Sequence, residues 1–153
     1  MDQLLTQYLA LFERRLTVMR QLAVELERGQ RSVVQFDGEL LAQQSAQQLA
    51  LCEELHAMET ELGRLYRQIS HENKHAAVST DSSPLHLAGE RGASLREELV
   101  RVQRQVQHLG RVHAALLRRA RRSLTALTNV LAIQAPTYSP PRQDVLAAGT
   151  EGE

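Results

Sequence analysis

Three long stretches of this sequence place apolar residues at alternating spacings of three and four, and that repeat dictates what the chain can become. The repeat is that of α-helices packed through a coiled-coil seam. In residues 3–28 the seam is Leu5, Leu9, Phe12, Leu16, Met19, Ala23 and Leu26, and Leu4, Leu11, Val18 and Leu22 widen the apolar face enough for two neighbours. In residues 39–75 it is Leu41, Gln44, Gln48, Leu51, Leu55, Met58, Leu62, Leu65 and Ile69. Two glutamines thus occupy seam positions. Either the seam rotates there onto Leu40, Ala46 and Leu49, which is the favoured reading, or that half packs loosely and faces a partner. In residues 95–135 the seam runs Leu95, Leu99, Val102, Val106, Leu109, His113, Leu117, Ala120, Leu124, Leu127 and Leu131, with an extra step of four at His113–Leu117. Such a stutter relaxes a left-handed supercoil, and Gly110 just before it suggests a close helix approach or a bend.

The segments between the seams read as breaks. Gly29 is a candidate helix-ending residue, Ser32 and Gln35 suit a capping box, and Asp37-Gly38 signals a reversal. Residues 76–93 lose all periodicity and predict a flexible loop, after which Ser94 and Glu97 suit a capping box that opens the last helix. Pro136 stops that helix. Residues 136–153, rich in Pro, Gly and acid, predict a disordered tail. Composition agrees: aromatics are 3%, and 25 Leu and 15 Gln dominate, so the core is aliphatic and helical. The expected architecture is all-α, an elongated antiparallel three-helix bundle over residues 1–135. Helices of about 26, 37 and 41 residues span ~40, ~55 and ~60 Å. The first is too short to cover the other two, which leaves apolar length for a partner or a second copy.

Net charge is +0, with 18 basic and 18 acidic side chains, but the balance is uneven. Residues 1–75 hold eight bases and eleven acids, and residues 90–142 ten bases and three acids. The halves are expected to pair with each other, to bind a polyanion, or both. Arg118, Arg119, Arg121 and Arg122 form the densest cluster. Pairing with Glu53, Glu54, Glu59 and Glu61 is favoured over nucleic-acid binding, since no aromatic stacking platform accompanies them. Cys52 is the single cysteine, which excludes an internal disulfide and favours a reducing compartment. The N-terminal residues lack the basic and apolar regions of a signal peptide, and no apolar stretch approaches a membrane span, so a cytoplasmic protein is expected.

No arrangement points to catalysis, and no cofactor is expected. His71-Glu72-Asn73-Lys74-His75 matches the zinc-protease pattern H-E-x-x-H. Its place at a fraying helix end, without a cleft or a supporting shell, makes coincidence or adventitious metal capture the better reading. Cys52 and His56 stand one helical turn apart, and core packing for Cys52 with a solvated His56 is favoured over a nucleophile–base pair. In the tail, Tyr138 stands alone among Pro136, Ser139, Pro140 and Pro141; the segment reads equally as a pre-extended docking element or as a dangling tail whose Tyr has no role.

The stretch LLRRARRSLTALTNVLAIQAPTYSPP (residues 116–141), a long Arg/Leu-rich final helix followed by a short Tyr motif, resembles the flagellar export chaperones of the FlgN type. The segment LERGQRSVVQFDGELLAQQSAQQLALCEELHAME (residues 26–59) is similar to that family's first helical hairpin. The resemblance implies a small cytoplasmic, ATP-independent chaperone. Its cargo would be an aggregation-prone helical segment of hook-associated, hook-filament junction proteins, delivered to the cytoplasmic domain of the type III export gate. By pattern, cargo contacts map to Leu124, Leu127, Val130, Leu131 and Ile133, and gate docking to Tyr138. The family pattern has Gly after that Tyr, where this chain has Ser139-Pro140. Monomer or weak homodimer is the expected state. The alternative is a structural coiled coil that self-associates through its uncovered seam, with weak nucleic-acid binding a distant third.

Overall fold

A computed structural model describes residues 2–75 and 84–134, with side chains over 2–72 and 84–132. Every element among the described residues is an α-helix: α1, Asp2–Gln35; α2, Gly38–His75; α3, Pro84–Leu87; and α4, Gly89–Gln134. The chain divides into two units, Met1–Arg118 and Arg119–Glu153.

In the first unit α1, α2 and α4 form a three-helix bundle. The seam positions make its core: Leu9, Phe12 and Leu16 from α1, Leu62, Leu65 and Ile69 from α2, Leu95 and Val102 from α4. Val18 and Leu22 are buried too, so α1 packs on two sides, as its broad apolar face requires. Side-chain contacts fix the directions. From Arg15–Glu59 through Gln48–Glu25 to Ser32–Gln44, partner numbers on α2 fall as those on α1 rise, so the pair is antiparallel. From Arg91–Glu13 through Arg20–Glu98 to Gln30–Leu109 they rise together, so α4 runs parallel to α1. The topology is up-down-up. The exposed ion pairs contribute about 0–1 kcal/mol each, so aliphatic burial carries the stability and the charges select the pairing.

Several boundaries differ from those read in the sequence. Helix α1 continues through Gly29 to Gln35. Gly29 is interior because its missing Cβ lets α2 and α4 approach: a Cβ there would lie 2.8 Å from Gln48 Nε2 and 2.8 Å from His113 Cε1. Ser32 caps nothing and donates instead to Gln44 Oε1 at 2.8 Å. The true end is a Schellman turn, with Phe36 N–H donating to Val33 O (3.3 Å) and Asp37 N–H to Ser32 O (3.1 Å). Phe36 takes the left-handed position at φ 57°. Asp37 then caps α2 as expected, its Oδ1 accepting from Leu40 N–H at 2.9 Å. The expected loop 76–93 is shorter. Residues 84–87 form one turn, Ala88 N–H bonding Pro84 O at 3.3 Å, and α4 starts at Gly89, five residues before the expected Ser94 cap. Gly92 is fixed by that junction, because a Cβ would meet Leu85 O at 1.8 Å. Residues 76–83 lie outside those described.

The second unit contributes the helical residues 119–134, in which Ser123, Thr125 and Thr128 donate to the carbonyls of Arg119, Arg121 and Leu124. No helix among the described residues is long and apolar enough to cross a membrane.

Candidate partner-binding surface

The apolar seam of α4 is covered only in part. Leu95 and Val102 are core residues and Leu99, Val106 and Leu109 are half-buried. Past the stutter the seam opens: Leu124, Leu127, Val130 and Leu131 are 57%, 61%, 52% and 66% exposed. These are four of the five expected cargo contacts, and the helical repeat brings them onto one side of a continuous helix. Ile133 belongs to the same helix, with its side chain outside those described. Tyr138 lies outside the described residues. Fully burying a Leu or Val side chain is worth about 1.5–3 kcal/mol, and each of these side chains still has more than half of its surface to bury. The hydroxyls of Ser123, Thr125 and Thr128 are satisfied by the helix's own carbonyls and need nothing from outside.

Where the seam is still covered, the bundle carries a buried polar layer. Gln44 keeps its seam position, buried against Ser32, while Leu40, Ala46 and Leu49 are exposed. The seam therefore does not rotate, and it does not loosen to face a partner either. Gln48 Nε2 donates to Glu25 O at 2.9 Å, and Gln30 Nε2 to Leu109 O at 3.1 Å. His113, the stutter residue, is buried beside Gly29, and its Nδ1 has no hydrogen-bond partner among the described residues. Burial pushes its pKa below the usual imidazole value. The close approach expected at Gly110 occurs at Gly29 instead, and Gly110 faces open space. Glutamines at seam positions on one helix and a stutter histidine on another were the available signals for this layer. What joined them, the passage of α1 through Gly29, was hidden by reading that glycine as a stop.

The remaining candidates separate. Cys52 is exposed, against the expected core packing: it stands outside the three–four repeat and α2 turns it to solvent. His56 is exposed as well. His71 and Glu72 are exposed, and the side chain of His75 is outside those described. Among the described residues no group of three or more His, Cys, Asp or Glu is arranged to hold a metal ion. Of the four acids expected to pair with Arg118–Arg122, three have other partners: Glu54 pairs with Arg14 at 2.8 Å, Glu59 with Arg15 at 2.9 Å and Glu61 with Arg64 at 2.5 Å; Glu53 is exposed. Arg118, Arg119, Arg121 and Arg122 are exposed.

Compared with known proteins, the chain matches no family model, no curated protein sequence and no solved structure.

Proposed function

We propose that this chain is a cytoplasmic export chaperone. It holds an amphipathic helical segment of flagellar hook-associated proteins and delivers it to the export gate. The observation that supports this most is the exposed row Leu124, Leu127, Val130 and Leu131 on a well-formed helix. A helix with anchors at i, i+3 and i+7 is one half of a helix-in-groove contact. It holds its partner by burial alone and needs no nucleotide. The segment around Tyr138 is the gate-docking element.

The test is co-purification of the full chain with a hook-filament junction protein, followed by light scattering. A stoichiometric complex is expected, lost in the variant Leu124→Gln/Leu127→Gln/Leu131→Gln. Deleting residues 136–153 should leave that complex intact and weaken binding to the gate's cytoplasmic domain. A chain that is a tight oligomer alone, and ignores the junction protein, would establish the self-associating coiled coil instead, since the same leucines suit a second copy.

A further inference from the structure

The last turns of α4 carry charge as well as apolar surface, and the charge has one sign. Residues 119–134 include Arg119, Arg121 and Arg122 and no acidic residue. All three arginine side chains are exposed. At about 100° per residue, Leu124, Leu127 and Leu131 share a narrow stripe, with Arg121 about 90° to one side and Arg119 about 110° to the other. Within the unit Met1–Arg118, glutamates already have arginines of their own. Glu13 pairs with Arg91, Glu25 with Arg28, Glu54 with Arg14, Glu59 with Arg15 and Glu98 with Arg20.

We propose that residues 119–131 take an acidic amphipathic helix of a partner protein, its apolar stripe packed on Leu124, Leu127 and Leu131 and its Asp or Glu side chains set against Arg119 and Arg121. The proposal rests on the capture reading above and adds the charge of what is captured. Two other polyanionic surfaces fit less well. An anionic membrane favours aromatic anchors beside the apolar face, and residues 119–134 contain no aromatic. A nucleic acid would neutralise the arginines and leave the leucines in water. Charges at the rim of such a contact set partner choice and association rate more than affinity, so the signature is discrimination between partners of one shape.

The experiment uses the full chain and two synthetic amphipathic helical peptides about three heptads long. They share one leucine seam and are flanked by Glu in one and by Lys in the other. Fluorescence anisotropy at low salt should show the Glu peptide binding about tenfold more tightly, the effect of two or three exposed ion pairs. The preference should shrink at high salt. In Arg119→Gln/Arg121→Gln/Arg122→Gln the two peptides should bind alike, and in Leu127→Gln/Leu131→Gln neither should bind. Equal affinity of both peptides for the unaltered chain overturns the acidic preference while leaving helix capture standing. Binding of the Glu peptide that survives Leu127→Gln/Leu131→Gln is adsorption of a polyanion and overturns the proposal, as does equally tight binding of a DNA duplex or of phosphatidylserine vesicles. If neither peptide binds and the junction protein is ignored too, the capture reading falls with it. A dimer of the chain alone that Leu127→Gln/Leu131→Gln dissociates makes a second copy the occupant and overturns it too.

Discussion

Gly29 and Gly63 both interrupt helices built from good helix formers, and they predict opposite responses to alanine. Around Gly63, as around Gly110, a Cβ would meet nothing within 4 Å. Ala at either position therefore gains the helix-propensity difference of about 0.5–1 kcal/mol. At Gly29 the same Cβ presses on Gln48 Nε2 and His113 Cε1, both at 2.8 Å. Overpacking of this kind costs about 1–3 kcal/mol, which outweighs the propensity gain. Urea unfolding should rank Gly63→Ala and Gly110→Ala above the unaltered chain and Gly29→Ala below it. A Gly29→Ala protein as stable as Gly63→Ala would mean that the helices do not meet there. Phe36 poses the reverse problem. It holds a left-handed φ of 57° and is 71% exposed, so its ring packs little and its backbone is strained. Left-handed backbone costs a non-glycine residue about 1–2 kcal/mol. Phe36→Gly should raise stability by about 1 kcal/mol in the same assay, unless the ring is held by a partner.

The helix α4 combines two kinds of leucine that the sequence presents as one seam, and the contrast can be measured. In the shared core, Leu65→Ala on α2 removes a side chain that is 3% exposed and should cost about 2–5 kcal/mol. On α4, Leu127→Gln/Leu131→Gln changes residues 61% and 66% exposed. Gln matches Leu in helix propensity, so thermal unfolding should shift by less than about 0.5 kcal/mol per residue. A large loss would show the stripe to be already covered within the chain. Periodicity alone reveals the seam, the helix count and the stutter, because these follow from which residues are apolar. It is silent on where α1 stops. Gly29 looked like that stop, and only its fit against Gln48 and His113 shows why the helix continues. The reversal was legible for a different reason: Asp37 carries its own capping acceptor, a local interaction that needs no knowledge of the other helices. The exposure of Cys52 and the burial of Gln44 both run against residue-type averages, since a cysteine favours cores and a glutamine surfaces. Here the register on α2 decides both.

At the scale of the whole molecule, three helices converge on an imidazole that is better neutral. His113 comes from α4, and its ring and the Gln48 amide of α2 both reach the bare Cα of Gly29 on α1. The nearby charged residues of α1, Glu25 and Arg28, pair with each other at 2.6 Å rather than with the ring. Its Nδ1 has no hydrogen-bond partner among the described residues, and burial lowers its pKa from the ordinary 6.5. In the unfolded chain the same ring binds a proton near pH 6.5. Below that pH the unfolded state holds more protons than the folded one, so stability rises with pH in this window and falls as the solution is acidified. The loss should begin near pH 6.5 and level off only below the lowered folded-state value. This separates it from Glu61, whose bond to Arg64 lowers a carboxylate pKa from 4.5 and whose contribution is lost at lower pH. His113→Leu isolates the effect, since leucine fills similar space and does not titrate. An orphaned buried polar atom costs about 1–3 kcal/mol, so this variant should be at least as stable as the unaltered chain at pH 7.5. It should also lose less stability on going to pH 5.5. If the two proteins lose stability in parallel over that interval, the proton responsible binds elsewhere and the three-helix junction is indifferent to the charge of its histidine.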